Sequence, residues 1–424
     1  MDNAALKVPQ SIFRLVNVAL RGMTLGSKFL LIFLLAHFLA PSEVGLYGLI
    51  AAAISYALYL LGFDFYTYST RELLKREPAA WGGVLKSQAA LSGVLYMIFL
   101  PLLGLLFVWG LLPWRMSGWF FILLVLEHVN QEAFRIFIAA SQPLRASVLL
   151  CLRSGAWALV IAMAMAISPE LRSLKWVLMA WGIGGVSALL LGACWLRRMP
   201  IQGWRDRVDW RWILRGLKVA LPLVSATLAL RALSTLDRYW FEYLGGLDVL
   251  GAYVLFAGIS SALMAFLDAG VFSFVYPALI KAWQQGDATA FRLQQRQLLQ
   301  HTVVLSGVFC CVSLLAIEPL LTLLDKPIYL EHVSIFPWLL AASVLYGLGM
   351  VPHYALYAQG HDRSIIYSHL FSVLVFAGVT LVASRYSHIF AVPLGVVAAF
   401  TSILLWKTAR YFQLTPKRLL PATD

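Results

Sequence analysis

Arg14, Arg21 and Lys28 recur at intervals of seven inside an otherwise apolar stretch near the start of the chain, and Asn17 and Thr24 fall on the same helical face. The chemistry open to such a stripe is electrostatic: guanidinium and ammonium donors hold phosphate or carboxylate groups, the guanidinium through two prongs at once. Arg153 and Arg231 add two more basic groups deep in later apolar stretches, and Arg153 has no acid at helical spacing on its own stretch. Asp64, Glu127, Glu132, Asp237, Glu242 and Asp268 are the acids in comparable settings. Each is either a counter-charge or a group able to take up H+ or Na+. Glu127, nearest the middle of its stretch, is the first candidate for ion coupling, with Asp64 and Asp268 beside it. His128 and His353 can titrate near neutral pH and are read as hydrogen-bonded structural groups. The four cysteines lack metal-ligand spacing and are read as packing residues, so no metal site and no cofactor beyond a coupling ion is expected.

The elements that must hold these groups are membrane helices. Of 424 residues, 61% are hydrophobic and 12% charged, against about 25% charged in soluble domains. A water-soluble fold is excluded. Runs of about 20 apolar residues recur from end to end, long enough to cross a hydrocarbon core as helices. Strands would alternate instead. The expected spans are 12–39, 44–68, 87–110, 117–140, 146–167, 174–196, 213–241, 249–278, 299–323, 333–358, 364–384 and 389–408. The first is too long, and too charged at Arg21 and Lys28, to be a cleaved signal.

A charge at the centre of a spanning helix costs about 2.5–3.5 kcal/mol, so deep ones must face water, pair with acids or reach an interface. Arg14, Arg135, Arg215, Lys218, Arg238 and Lys407 lie near span ends, where snorkelling is expected. Arg21, Lys28, Arg153 and Arg231 are deep, and a water-filled cavity holding an anionic headgroup is expected around them. A sealed network with Glu127, Gln131, Glu132 and Arg135 of the fourth span is the competing reading.

With both termini inside, cytoplasmic segments hold eighteen basic residues and outer loops five, the bias that sets orientation. Anionic lipids at the inner face answer the net charge of +13, and no nucleic-acid partner is needed. The basic run from Arg197 to Arg211 divides six spans from six: residues 1–196 as one lobe, 197–212 as a cytoplasmic linker, 213–424 as a second lobe with a short tail. An internal repeat supports the division. Gly45, Tyr47, Leu49 and Ala51 recur as Gly251, Tyr253, Leu255 and Ala257, at the openings of the second and eighth spans. Pro101, Pro222, Pro277 and Pro352 fall within spans and kink them.

Three places resemble the polysaccharide transporter family, which includes the O-antigen flippases, of the multidrug/oligosaccharidyl-lipid/polysaccharide exporter (MOP) superfamily. Leu39-Ala40-Pro41-Ser42-Glu43-Val44-Gly45-Leu46-Tyr47, followed by Gly62-Phe63-Asp64 and Ser69-Thr70-Arg71-Glu72-Leu73, is similar to its first outer turn and its exit from the second helix. Asp237-Arg238-Tyr239 with Gly251-Ala252-Tyr253 is similar to its entry into the second lobe, and Ala358-Gln359-Gly360-His361-Asp362-Arg363 to the loop after its tenth helix. The resemblance implies an all-α, MATE-like fold of two six-helix bundles. It also implies alternating-access movement of a polyisoprenyl-pyrophosphate-linked oligosaccharide outward across a bacterial inner membrane, alongside other polysaccharide assembly proteins. The alternative on the same fold is a cation-coupled exporter of drugs or metabolites. An enzyme is not expected, since H-E-x-x-H, G-x-S-x-G and P-loop patterns are absent and no outer loop exceeds about a dozen residues.

Overall fold

The computed structural model describes residues 10–416 and Leu419, with side chains from Leu15 onward. Arg14, Lys417 and Arg418, which entered the charge arguments, have side chains outside the described set. Among the described residues there are sixteen α-helices and no strand: α1 (Gln10–Phe38), α2 (Pro41–Gly62), α3 (Tyr66–Leu74), α4 (Gly82–Leu103), α5 (Leu105–Val108), α6 (Ser117–Ala139), α7 (Pro143–Cys151), α8 (Trp157–Ile167), α9 (Leu174–Arg197), α10 (Trp210–Leu267), α11 (Ser273–Gln284), α12 (Ala288–Thr322), α13 (Pro327–Glu331), α14 (Phe336–Ala358), α15 (Asp362–Ala383) and α16 (Ala391–Leu414). Two wide, π-type turns interrupt the ladder, Leu152–Ala156 between α7 and α8, and Asp268–Phe272 between α10 and α11.

Helices form because hydrocarbon offers no partner for a bare backbone N–H or C=O. Among the described residues, ten helical stretches are long and apolar enough to cross a membrane, one of them the 75-residue run Trp210–Gln284. That run holds two crossings, because Gly246 breaks α10 with φ 78° and ψ 173°, a conformation open to glycine alone. A further stretch, α6, is long enough but carries Glu127, Glu132 and Arg135. Counting it gives the twelve crossings expected from sequence. Many outward apolar side chains stand exposed, Val108, Ile167, Val304 and Leu315 among them. In a soluble protein these would be a liability; against lipid they are solvated.

The second span differs from its expected extent of 44–68. Helix α2 ends at Gly62, Phe63 and Asp64 turn through positive φ (50° and 48°), and the short α3 follows. An apolar run that continues through Phe63, Phe65 and Tyr66 hides that stop.

Two compact units emerge, 1–38 with 57–221, and 39–56 with 222–424. In the first, the basic connector after α9 is tied down: Gln202 N–H donates to Ala79 and Gly82 N–H to the Gln202 carbonyl, at 2.7 and 2.9 Å. Phe65, Trp81 and Trp212 anchor its core below. The second unit starts at Pro222 within α10 and includes the opening half of α2. There the two repeat copies meet. A side-chain carbon on Gly45 would press on the Gly251 amide at 3.2 Å and on the Leu247 carbonyl, and one on Gly251 would strike the Pro41 backbone. Glycine on both sides permits the approach.

Candidate functional site

In the first unit four crossings converge on Glu127. Its Oε2 lies 2.6 Å from Arg153 Nε and its Oε1 accepts from Trp181 Nε1 at 2.7 Å. Glu127 comes from α6, Trp181 from α9, and Arg153 from the wide turn at Leu152–Ala156, where an extra residue in the helical turn re-aims side chains, a feature frequent at functional sites. Two glycines allow the approach. Gly155 would carry a side-chain carbon 3.0 Å from Thr24 Cα of α1, and Gly184 of α9 sits against Trp157 and the Leu152 carbonyl. Trp157 donates to the Arg153 carbonyl at 2.9 Å and stacks on Trp181 with centroids 5.9 Å apart. The Arg153 carbonyl and its counter-charge are therefore both held.

Lys28 of α1 lies within electrostatic range of both Arg153 and Glu127 and is exposed. Arg21, one heptad earlier and also exposed, donates through Nε to Ser147 Oγ of α7 at 3.2 Å, and Ser147 in turn donates to Asn17. The stripe read from spacing thus runs along α1 with Arg21 and Lys28 accessible. Of Arg21, Lys28 and Arg153, only Arg153 is ion-paired to a carboxylate among the described residues. Along α1 and the wide turn, three basic side chains thus stand beside one carboxylate, with Arg21 farthest from it, against Ser147.

Arg231 belongs to the second unit. It lines a separate cavity of about 280 Å3 with Asp237, Arg238, Tyr253 and Ser260. Asp237 is buried there, accepting from Tyr253 Oη at 2.8 Å and from the Arg238 amide at 2.7 Å. Asp64 is 5% exposed, in the turn after α2 and not within the helix, where its carbonyl accepts from Thr67 at 2.9 Å. Asp268 opens the second wide turn and lines a cavity of about 320 Å3 with Tyr276, His353, Tyr354 and Tyr357. Each repeat therefore breaks its helix at an aspartate, Asp64 in one and Asp268 in the other.

Three expected snorkelling residues do something else. Lys407 is 1% exposed and bridges His353 and His369. Arg135 pairs with Glu132, which also accepts from Gln88, and lies 3.6 Å over the Tyr66 ring. Arg238 is half-buried, 3.8 Å from Asp237. Sequence reasoning counted distance from a helix end and had no view of partners on other helices. His128 hydrogen-bonds Tyr96 at 2.7 Å, and His353 faces Lys407. Of the cysteines, Cys151 is buried, whereas Cys194 and Cys311 are exposed. Trp181, Tyr96 and His369 carried no signal in the sequence beyond being polar-tipped residues in apolar runs.

No protein-family model matches the sequence, and no curated protein matches it in sequence. Solved structures do match in fold. The inward-facing conformation of a multidrug resistance MATE family transporter of the MOP superfamily superposes with a TM-score of 0.77 at 16% identity, covering 94% of this chain and 98% of that one. The outward-facing conformation of such a transporter gives 0.54 at 16% identity over 95% of each chain. A MATE protein in the bent conformation gives 0.55 at 16%, over 95% of this chain and 96% of that one. With nearly the full length of both chains aligned and all-helical architecture throughout, this multi-pass membrane protein has the MATE transporter fold.

Proposed function

We propose that the chain is an alternating-access exporter whose substrate carries negative charge. The observation that carries the reading is that Lys28 lies within range of the Arg153–Glu127 pair, whose one carboxylate is already taken by Arg153, while Arg21 stands one heptad earlier on the same helix against Ser147. Two uncompensated cations on the wall of a membrane helix bundle are costly unless an anion joins them. A phosphate, sulfate or carboxylate group supplies the missing charge and accepts hydrogen bonds from Arg21 and Lys28. Glu127 is the group best placed to exchange a coupling cation, because neutralising it frees Arg153 for the substrate.

Two substrate classes follow. A drug or metabolite is the better supported, since solved structures that share the fold are described as multidrug resistance transporters; that it is anionic rests on the basic residues alone. The second reading, a polyisoprenyl-pyrophosphate-linked oligosaccharide for surface polysaccharide, rests on the basic excess and the flippase-like turns at 39–47 and 358–363. Its pyrophosphate would engage the same donors. The setting proposed is a bacterial inner membrane, both termini cytoplasmic, with membrane lipids and, for the second reading, polysaccharide assembly proteins as partners.

The discriminating experiment is expression in a drug-sensitive bacterial host and, separately, in a strain that lacks its own flippase. Resistance to anionic compounds supports the first class. Restored surface glycan, with lipid-linked repeat units no longer accumulating inside, supports the second. Neither effect, from protein verified in the membrane, sinks both.

A further inference from the structure

Lys407 of α16 is buried in the second unit with its Nζ 3.2 Å from His353 Nδ1 on α14 and 3.1 Å from His369 Nε2 on α15. Among the described residues no carboxylate pairs with it. The two imidazole rings are parallel within 7° at 6.4 Å, and His353 lies parallel to Tyr357 at the same spacing. His369 also hydrogen-bonds the backbone of Ala226 on α10. His353 reaches the cavity of about 320 Å3 that Asp268 and Tyr276 line with Tyr354 and Tyr357. The titratable groups facing the cluster are therefore the two histidines and, on the cavity side, Asp268 and the three tyrosines.

Three nitrogens at these distances can share one proton. As an ammonium, Lys407 donates to a lone pair on each ring, which requires both histidines to be neutral. A proton added to either ring would remove an acceptor and set two positive charges 3.1–3.2 Å apart in apolar surroundings. The cluster thus holds one proton or none. We infer that Lys407, His353 and His369 form a site that binds and releases a single proton, reached from Asp268 through the tyrosine-lined cavity. On release the N–H electron pair stays on Nζ. His353 accepts the proton at Nδ1 and gives up the one on Nε2, and the Asp268 carboxylate receives it as a neutral acid. That this proton drives export rests on the transport reading above; its binding does not.

The test is magic-angle-spinning NMR of protein with 15N-labelled lysine and histidine in lipid nanodiscs, without substrate, over a series from about pH 5 to 10, which brackets ordinary histidine and ends just short of ordinary lysine. Lys407→Arg, His353→Gln and His369→Gln assign the signals. In the wild type, Lys407 Nζ and both rings are expected to shift together at one midpoint. Lys407→Arg, monodisperse and with unchanged tryptophan emission, is expected to lose that step. Independent midpoints, an ammonium that persists across the series, or a step surviving in Lys407→Arg would overturn the site. Should Lys407→Arg misfold, the common midpoint in wild type and its loss in His369→Gln decide alone. Protein that titrates this way but moves no substrate leaves the site and removes the transport reading; transport without the step does the reverse.

Discussion

Neutralising Glu127 by Glu127→Gln strips Arg153 of its ion-pair partner and leaves Lys28 as a second cation within range, with no carboxylate between them. The pair is close, 2.6 Å, and its side chains are only 15% and 8% exposed. Breaking a buried pair by removing one member costs about 3–5 kcal/mol, because the survivor stays charged and unpaired. Two features make the cycle asymmetric. Arg153→Met leaves Glu127 with the Trp181 donor at 2.7 Å and with Lys28 as a substitute counter-charge, so its cost should fall to about 2 kcal/mol, against about 4 kcal/mol for Glu127→Gln. The double variant removes both charges and should cost less than the two singles together by about 0.5–3 kcal/mol, the range for residues in direct contact. Unfolding in mixed detergent and dodecyl sulfate micelles, followed by tryptophan emission, measures all three, and the stacked Trp157 and Trp181 rings report on the site itself. Equal single costs that add in the double variant would show that the carboxylate and guanidinium do not act as a unit. The coupling role given to Glu127 would then lose its basis.

Arg21→Ala with Lys28→Ala should reduce export of an anionic substrate by about 10-fold or more, since each charge-assisted hydrogen bond contributes about 1.5–3 kcal/mol; unaltered uptake into proteoliposomes, at equal protein, removes the anion site. Gly251→Val should destabilise the second unit by about 1–3 kcal/mol or prevent folding, because the added side chain meets the Pro41 backbone; the check is the yield of monodisperse protein beside Gly378→Val, where the structure leaves open space. A single cysteine at Arg205, in a background without the four native ones, should react with a membrane-impermeant thiol reagent from the cytoplasmic side only, and one at Arg385 from the outer side only; the opposite pattern would invert the orientation drawn from basic residues.

The crossings were legible because each needs a run of about 20 apolar residues, a length that few other constraints imitate. The same logic failed at Asp64, where apolar residues continue past the end of α2 and conceal the turn. Ion partners were harder. Arg153 and Glu127 stand 26 positions apart on different helices, and only the wide turn and Gly155 bring them together, features that periodicity does not encode. Lys407 was misjudged for a related reason: nearness to a helix end suggested an interface, whereas its surroundings are set by His353 and His369 from neighbouring helices. The heptad of Arg21 and Lys28 was readable because both lie on one helix, where spacing and facing are the same quantity.

The segment holding Gly45 lies some two hundred residues ahead of the one holding Gly251, yet they pack into a single compact body. As the polypeptide leaves the ribosome, the earlier stretch enters the bilayer without its mate and must wait for half of the chain to be synthesised. Maturation of the amino-terminal portion is thereby held open until late in translation. A fragment ending after α9 would present that narrow glycine face to lipid, and co-expressing the missing portion is the condition under which it could close.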